Sequence, residues 1–417
     1  SKWKSDRGAF GTKENEPTAK TQWGTRNIWV RRTVTIDRDL TGIPVYLEFS
    51  NDDDAVFYVN GVKIHGTGTT CNKNKLVKLP EEALAVLKRG DNIIAAECIN
   101  PVGNGLLDFG LQIPKDLETV FGNTAVQTSA DVQPMQTHYA FTCGDVDLKV
   151  TFTAPLFMED LKLLSRPVNY LTYSVAARDG REHEVEVYFE ASPRWALDQP
   201  YQQSASKGYE ADGLLYLKSG SKEQNILAKQ GDDLRIDWGY FYMVAGKENT
   251  AYSVGNSTEL RKNFVNGTLN SASLEGEDSN GNMALVRSHG KVKNVTDKIM
   301  LGYDDIYSIQ YFGTNLRPYW NSKGDRTIEA EMLAAYNEYD KLLARCYAFD
   351  KKLMEDASAA GGKEYAELCA LAYRQSIAAH KLVEAPNGDL LWLSKENNSN
   401  GCINTVDLTY PSAPLYL

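Results

Sequence analysis

The segment Lys363–Val383 (KEYAELCALAYRQSIAAHKLV) has apolar residues at the spacing of a helix, and it leads into Asn387–Leu417 (NGDLLWLSKENNSNGCINTVDLTYPSAPLYL). The second segment combines one lysine, three acids, several side-chain amides and two tyrosines. A helix that delivers the chain into a polar, aromatic loop is one way in which enzymes build a wall of an active-site cleft. The same composition is also typical of a solvated surface loop, and the residues alone leave both interpretations open.

Three motifs in this region, YRQSIAAHKLV, SKENNSNG and TVDLTYPSAPLYL, resemble the glutaminase A family. The resemblance runs through earlier segments and covers most of the chain, and long motifs in the expected order are more specific than any short pattern. It implies a bacterial or fungal hydrolase that is secreted, periplasmic or held at the cell surface. It also implies β-rich N-terminal domains followed by a six-hairpin toroid of paired helices, only the beginning of which lies in this chain.

Another predicted helix lies upstream, at Thr327–Ala357, where apolar residues recur at helical spacing with charges between them. Gly361 and Gly362 are expected to end it, so that Lys363–Val383 becomes its antiparallel partner. Two such helices make one hairpin of a toroid, and one hairpin cannot bury its apolar face alone. We therefore expect residues 324–417 to be the incomplete start of a helical-toroid catalytic domain, with an active site that is incomplete in this chain.

Residues 1–114 contain short, β-branched segments separated by turn residues at even intervals, which is typical of an antiparallel β-sandwich. Asn60 and Gly61 form the strongest hairpin signal because both tolerate a positive φ. The runs SNDDDAVFYVNG and LLDFGLQ resemble the galactose-binding-like jelly roll that accompanies catalytic domains in glycoside hydrolases. The predicted strands are Ile28–Ile36, Val45–Phe49, Ala55–Gly61 and Asn92–Asn100.

Two features of this first domain have alternative interpretations. The acidic run Asp52–Asp54 could hold Ca²⁺, which takes several oxygen ligands, or it could hydrogen-bond the backbone of its own loop. Sugar binding needs exposed aromatic residues, and Trp3, Trp23 and Trp29 are available. Trp29 lies inside a predicted strand, however, and is expected in the core.

Residues 124–321 predict a second, larger β-sandwich of the supersandwich type, in which VDLKVTFT alternates apolar and polar residues as a half-buried strand does. The polar stretch Lys247–Asn280 is expected to contribute loops. The run LKLLSRPVNYLTY resembles the β-domain that precedes the helices in glutaminase A relatives. The chain is thus predicted to be a multidomain protein, mainly β with a C-terminal α part. The predicted strands of this domain are Thr137–Cys143, Val146–Pro155, Asn169–Arg178, His183–Ser192, Asp233–Ala245 and Asn282–Gly290.

The motif Asp304–Gly313 (DDIYSIQYFG) is followed by Arg317 at the predicted join between this β-domain and the helices. The planar guanidinium of Arg317 could clamp a substrate carboxylate. Alternatively, the aromatic residues of the segment pack the β-domain against the helices, as aromatic clusters with arginine commonly do. These residues are Tyr307, Tyr311, Phe312 and Trp320.

Several catalytic classes lack their motifs in this sequence. There is no Gly-x-Ser-x-Gly elbow, zinc-binding histidine motif, phosphate loop or dinucleotide fingerprint, so we expect neither a cofactor nor a metal. The five histidines are dispersed, and His380 is expected to pack or cap on the second predicted helix. What remains is carboxylate chemistry, in which one group activates water and another protonates the leaving atom.

The acids predicted to act in this way are Glu396 and Asp407. Lys395 would keep the neighbouring carboxylate ionised. In a rival interpretation both acids fix the loop through backbone N–H groups, and Asp389, beside a glycine, predicts only a turn. The family motif covers these residues without indicating which of them is catalytic. The residues predicted to bind substrate are Lys395, Asn397, Asn400, Tyr410 and Arg317.

Composition excludes some partners. The 417 residues carry a formal net charge of −10 with no basic block, and a nucleic-acid interface needs clustered Lys and Arg. No apolar run reaches the roughly 18 residues that span a membrane. The six cysteines are widely spread, which favours free thiols over a disulfide framework, although Cys346 and Cys369 could pair.

Three functions fit these observations. The resemblance implies a glutaminase-like amidohydrolase that converts L-glutamine into L-glutamate and ammonia by carboxylate-assisted attack of water. A glycoside hydrolase is the alternative, because a jelly roll, a sandwich and a helical toroid occur together in that class. The third is a non-catalytic, glycan-binding β module. The expected partner is a small molecule, glutamine or a saccharide.

Overall fold

The computed structural model describes residues 3–13, 19–37, 39–40, 43–113, 120–198, 202–231, 234–269, 281–395, 400–410 and 412–413. The chain divides into two compact units, Ser1–Leu117 and Glu118–Leu417. The first is all β apart from one short helix, and the second combines β-sheets with a long helical segment. The predicted class, mainly β with a C-terminal α part, is confirmed.

The first unit is a sandwich of a five-stranded sheet, in the order β2-β1-β9-β4-β7, and a four-stranded sheet, in the order β3-β8-β5-β6. All its pairings are antiparallel except that of β1 with β2. The elements are β1 (Phe10–Gly11), β2 (Thr21–Gln22), β3 (Asn27–Ile36), β4 (Tyr46–Asp52), β5 (Asp54–Val59), β6 (Val62–Gly66), β7 (Asn72–Lys78), α1 (Glu81–Val86), β8 (Gly90–Ile99) and β9 (Leu106–Gln112).

Alternating side chains from both sheets fill the core of this sandwich, as the sequence predicts. Every second residue of β5 is buried, and Phe49 lies 4.8 Å from Phe57, measured between ring centroids. The predicted hairpin is also confirmed, because Asn60 and Gly61 both have positive φ, 47° and 88°, between β5 and β6. Such a turn matches the twist of the strands that it joins.

Two expectations for the first unit need correction. Trp29 is not in the core: it is 55% exposed, because β3 is an edge strand and Trp29 lies on its outer face. Trp23 is buried instead. Asp52 and Asp54 lie in paired strands on either side of Asp53, so the acidic run does not form a loop of its own.

The second unit is built on an eight-stranded antiparallel sheet in the order β10-β11-β12-β13-β20-β17-β16-β15. A three-stranded sheet, in the order β14-β19-β18, covers one face of it. The strands are β10 (Val126–Val132), β11 (Gln136–Cys143), β12 (Val146–Thr153), β13 (Val168–Ala177), β14 (His183–Ala191), β15 (Ser204–Ala211), β16 (Leu214–Ser221), β17 (Tyr240–Gly246), β18 (Thr250–Gly255), β19 (Asn282–Val292) and β20 (Asn294–Asp304).

Two short hairpins and four α-helices are described in the rest of this unit. One hairpin consists of β21 (Ile309–Tyr311) and β22 (Thr314–Leu316), and the other of β23 (His380–Glu384) and β24 (Leu390–Ser394). The helices are α2 (Leu161–Ser165), α3 (Ser257–Val265), α4 (Ile328–Ala378) and α5 (Val406–Thr409).

The large sheet is the middle of three layers because α4 covers its other face. Leu214 and Tyr216 of β16 belong to the core under α4, whereas Leu215 and Leu217 belong to the core under the three-stranded sheet. Gly302 of β20 allows the close approach of α4, since a Cβ there would overlap the Met332 side chain. Because β16 is buried on both faces, its sequence does not alternate between apolar and polar residues.

The helical segment begins where predicted and breaks where predicted. Thr327 caps α4 by accepting the Ala330 N–H at 3.2 Å. Gly362 has φ 85° and ψ −177°, so the segment consists of two helices joined at this residue. The predicted extension of the second helix to Val383 is wrong, because the helix ends at Ala378 and His380–Glu384 pairs with β24 as a strand.

Two further expectations for this unit need correction. Lys247–Asn280 was expected to supply only loops, but it contains β18 and α3, which Asn256 caps. The strand predicted at Asp233–Ala245 begins only at Tyr240, where the apolar run starts. All six cysteines have free thiols, as the sequence favours, and the alternative pairing of Cys346 with Cys369 is not formed.

Asp350 of α4 is a buried acid at the interface with the large sheet. Its Oδ1 accepts the backbone N–H of Met135 at 2.8 Å, whereas its Oδ2 is buried without a hydrogen-bond partner among the described residues. Burial raises the pKa of Asp350 to about 7. The folded state therefore favours the protonated acid, and it is penalised when the carboxyl ionises.

We expect Asp350→Asn to stabilise the protein relative to wild type in a pH-dependent way. The wild type loses stability as the pH rises from the usual aspartate range to about 7, by up to about 1.4 kcal/mol per pH unit, and the amide does not ionise. Urea unfolding between pH 4 and pH 8 measures this difference. Asp340→Asn, at an exposed position of the same helix, is the control and should show no such trend. A pH-independent difference between wild type and Asp350→Asn would contradict the assignment.

Candidate functional site

The hairpin of β23 and β24 brings two of the predicted motifs together. Val383 and Leu393 pack against Ile309 and Leu316 of the β21–β22 hairpin in a small core of their own. Pro318 also forms a bridge with Val383. This packing places the segment that follows β20 beside the residues at both ends of the β23–β24 hairpin.

A buried ion pair lies at this junction. Asp305 accepts hydrogen bonds on Oδ2 from Ser308 Oγ at 2.6 Å and from Lys381 Nζ at 2.9 Å. The Asp305 side chain is only 6% exposed, whereas that of Lys381 is 37% exposed. The carboxylate thus depends on its two partners, while the ammonium also reaches solvent.

Trp238 connects this pair to Lys395. Its indole N–H donates to the backbone carbonyls of Asp305 at 2.8 Å and Tyr307 at 2.9 Å. The Lys395 ammonium lies 5.7 Å from the centroid of the Trp238 ring. Burial, and next to it the positive charge of Lys381, lower the pKa of Lys395, while Asp305 acts in the opposite direction. Lys395 is thus a lysine whose charged form is disfavoured in the folded protein.

Two concave regions meet at this cluster. A groove of about 1220 Å³ lies between the two halves of α4, and Ser394, Lys395, Leu408 and Ser412 also line it. A cavity of about 210 Å³ contains Asp305, Ser308 and Lys381. His380 lines both. A mostly apolar concavity with a few polar groups is the usual form of a small-molecule site.

His380 has the packing role that was predicted, although on a strand and not on a helix. Its ring stacks on Trp392, with centroids 5.0 Å apart and planes inclined by 3°. Its Nδ1–H donates to the Ser376 carbonyl at 2.5 Å. These contacts fix the imidazole between the end of α4 and β24.

The structure describes only one of the two predicted catalytic acids, Asp407. Glu396 and Asn397 lie outside the described residues. Asp407 is exposed in the first turn of α5. Ser394 ties this helix to β24, because its N–H donates to Asn404 Oδ1 at 2.9 Å and its hydroxyl lies 3.4 Å from that of Thr409.

The predicted substrate-binding residues occupy different environments. Asn400 accepts the Cys402 N–H on its side-chain oxygen at 2.8 Å, and Tyr410 is 82% exposed. Lys395 lines the groove, as described above. The structure describes no contact that joins Lys395, Asp407 and Tyr410 directly. Their grouping as one site stays a prediction.

Arg317 follows the segment Asp305–Tyr307, whose backbone carbonyls accept hydrogen bonds from the Trp238 indole. Its guanidinium lies 4.6 Å from the centroid of the Tyr307 ring, and Nη2 donates to the Tyr307 hydroxyl at 3.3 Å. The prediction that the aromatic residues of this segment pack between the β-domain and the helices fits Trp320, which is buried. It is wrong for Phe312, which is 92% exposed. The proposed binding of a carboxylate by Arg317 stays a prediction.

Sequence reasoning missed part of this cluster. Lys381 was assigned to a helix, and Trp238 to a strand that begins only after it. Beside Trp238, buried Asp237 accepts from Lys229 Nζ at 2.6 Å and from Gln202 Nε2 at 2.9 Å. The ion pairs join residues far apart in sequence, and only the adjacent acids Asp304 and Asp305 were visible as a local signal. Over the described ranges, no group of three or more His, Cys, Asp or Glu side chains is arranged to hold a metal ion.

Comparison with known proteins gives the family. Residues 135–356 match the model of a domain of unknown function (DUF5127), and residues 362–417 match the glutaminase A six helical-hairpin domain. The chain belongs to the glutaminase A family. The hairpin-domain match begins at Gly362, where α4 breaks, and includes Lys395 and Asp407.

Two curated proteins that are named as glutaminases are similar to the chain. Glutaminase A of Aspergillus oryzae is 28% identical over 312 residues, which cover 70% of this chain and 44% of the relative. A probable glutaminase of Arthroderma benhamiae is 24% identical over 321 residues, which cover 69% of this chain and 35% of the relative. The chain thus spans less than half the length of these relatives.

Solved structures give only weak likenesses. A glycosyl hydrolase family 2 member from Bacteroides cellulosilyticus aligns with a TM-score of 0.21 and 10% identity, covering 68% of this chain and 24% of that one. A β-glucuronidase from Ruminococcus gnavus aligns with a TM-score of 0.19 and 12% identity, covering 53% and 33%. Likenesses at this level carry no argument about function. Among the described helices, none is long and apolar enough to cross a membrane.

We expect Lys381→Met to raise the pKa of Lys395. The substitution removes the nearby positive charge and leaves Asp305 without its ammonium partner, and both changes favour a charged Lys395. NMR titration of isotope-labelled lysine side chains measures this pKa. Lys352→Met, at an exposed lysine of α4, serves as the control and should leave it unchanged. An unchanged or lower pKa of Lys395 in Lys381→Met would show that the two lysines are not coupled.

Proposed function

We propose that this chain forms part of a glutaminase-like amidohydrolase that converts L-glutamine into L-glutamate and ammonia. The observation that carries the proposal is the match of residues 362–417 to the glutaminase A six helical-hairpin domain. This matched segment contains Lys395, Asp407 and Glu396. The two curated relatives, named as a glutaminase A and a probable glutaminase, support the same chemistry. Export from the cell is part of the proposal.

The proposed mechanism uses carboxylates. Hydrolysis of the side-chain amide of glutamine needs one group that takes a proton from water and one that donates a proton to the leaving ammonia. We assign these roles to Glu396 and Asp407.

The substrate would enter the groove of about 1220 Å³ that Lys395 lines. Free glutamine carries an α-carboxylate, and an anion beside Lys395 would restore the charged form of this lysine, which burial disfavours. Binding of the carboxylate and protonation of Lys395 would therefore be coupled. Arg317 is proposed to assist in holding the carboxylate, with Asn397, Asn400 and Tyr410 as hydrogen-bonding groups.

Ammonia release from L-glutamine by the natural protein that contains this chain tests the proposal. We expect Glu396→Gln and Asp407→Asn each to lower kcat by about a hundredfold or more, the scale of a general acid or base. Asp389→Asn is the matched control, because Asp389 only hydrogen-bonds within its turn, to Asn387. Absence of ammonia release by the wild type, or full activity of both variants, would contradict the proposal. Turnover of a glycoside instead would favour the glycoside hydrolase.

We also propose a second candidate function, glycan binding by the first unit. A cleft of about 860 Å³ there is lined by two exposed indoles, those of Trp3 and Trp29. The Arg31 guanidinium lies over the Trp3 ring, 4.3 Å from its centroid, and Asp6 and Gln22 also line the cleft. Aromatic faces beside polar side chains suit a sugar ring, which has an apolar face and hydroxyls at its edge.

Titration of the chain with a panel of neutral oligosaccharides, followed by tryptophan fluorescence, tests this function. We expect Trp29→Ala to weaken binding by about threefold to tenfold, the scale of one lost aromatic contact. Trp195→Ala, at an exposed tryptophan of the second unit, should leave binding unchanged. If no oligosaccharide changes the fluorescence of the wild type, the first unit does not bind these glycans.

A further inference from the structure

We propose that a cavity beside Arg166 binds a small oxyanion, a molecule with a carboxylate or phosphate group. The cavity has a volume of about 310 Å³ and lies among α2, Trp320 and the first half of α4. It is distinct from the groove and the cavity at Lys395 and Asp305, although Trp320 lines this cavity and also the one at Asp305. It does not depend on the proposed glutaminase activity.

The guanidinium of Arg166 is the first reason. The Arg166 side chain is only 7% exposed, and it ends α2 at the start of β13. Its Nη1 donates to Glu338 Oε2 at 3.2 Å. Its Nε and Nη2 are buried, and neither has a hydrogen-bond partner in the described part of the chain. A buried N–H group without an acceptor destabilises the folded protein, and more so when the group is charged.

The single partner of Arg166 does not compensate for this burial. Glu338 is 51% exposed, so the ion pair lies at the solvent boundary of the guanidinium. The ion pair engages Nη1 of Arg166. It leaves the edge formed by Nε and Nη2 without an acceptor among the described residues. This buried cation therefore needs a further acceptor at its other edge.

The chemistry of that free edge selects the ligand. Nε and Nη2 of a guanidinium present two parallel N–H groups in a fixed plane. This fork matches two oxygens of a carboxylate or a phosphate, which accept both N–H groups at once. A neutral ligand with one acceptor would satisfy only one of them.

The charges around the cavity favour an anion as well. Five cationic and three acidic side chains line it, an excess of two positive charges. Two of the acids face arginines other than Arg166: Glu331 pairs with Arg326, and Asp160 lies 4.0 Å from Arg345. Lys162 and Lys341 make no ion pair within the described residues. The five cationic residues are Lys162, Arg166, Arg326, Lys341 and Arg345.

The volume restricts the size of the ligand. Ligand sites usually measure roughly 300–1,000 Å³, and this cavity lies at the small end of that range. A compact anion such as phosphate, acetate or succinate fits the volume and the charge. A nucleotide or a lipid exceeds it.

Calorimetric titration of the chain with phosphate, acetate and succinate, against chloride at matched ionic strength, tests the proposal. We expect saturable binding of at least one oxyanion, and a raised Tm in its presence. Arg166→Lys keeps the charge and removes the fork, so it should weaken binding by about tenfold or more, the scale of one charge-assisted hydrogen bond. Arg181→Lys, at an exposed arginine of the same unit, should leave the affinity unchanged.

A second variant covers the case in which Arg166→Lys does not fold. Lys341→Gln removes one cation of the cavity and leaves the Arg166–Glu338 contact in place, so we expect a folded protein with affinity lowered about threefold or more. The relative affinities for phosphate and the two carboxylates distinguish the two classes of anion. Absence of saturable binding, or equal affinities for wild type and both variants, would overturn the proposal and leave Arg166 as a structural contact between α2 and α4.

Discussion

The second unit depends on one constraint, which is that the central strands of its eight-stranded sheet are buried on both faces. Successive residues of β16 point alternately into two cores, Leu214 and Tyr216 toward α4, and Leu215 and Leu217 toward the three-stranded sheet. Neither covering layer can be removed without exposing apolar side chains of the central strands to water. The tight fit of α4 over Gly302 follows from the same constraint, since the helix replaces water over a continuous apolar surface.

This arrangement explains why the polar residues lie where they do. The central strands are mostly apolar on both faces, and the acids of the candidate site lie just outside the strands. Asp305 follows the last residue of β20, and Asp237 precedes β17, its neighbour in the sheet. The second half of α4 then returns the chain to this end, and β23 supplies Lys381 to Asp305. The candidate site is therefore assembled where the inner strands β17 and β20 begin and end, from segments that are far apart in the sequence.

Local physical signals predicted much of this fold. Alternation identified β12, the residue pair Asn60–Gly61 identified a hairpin because both residues tolerate a positive φ, and two glycines identified the break in α4. The sequence of β16 has no alternation because both its faces are buried, and no periodicity argument could have found it. A helix was predicted as far as Val383 because the apolar residues continue a helical pattern, and only pairing with β24 makes His380–Glu384 a strand.

The candidate site was less predictable than the fold, for the same physical reason. Lys395 was recognised as a site residue from its setting in a polar segment. Its perturbed environment, however, is created by Trp238 and Lys381, which reach it through tertiary contacts. The Asp305–Lys381 pair joins residues that are 76 positions apart, and no spacing rule connects them. Pairings of this kind are set by how sheets and helices stack, and a single sequence does not reveal them.

The environment of Lys395 has a chemical consequence. A lysine with a depressed pKa holds more free amine at neutral pH than an ordinary surface lysine does, and the free amine is the nucleophilic form. Electrophilic reagents such as activated esters should acylate it faster than the lysines on the outside of the protein. A reporter group attached in this way would sit on the wall of the groove, beside the indole of Trp238.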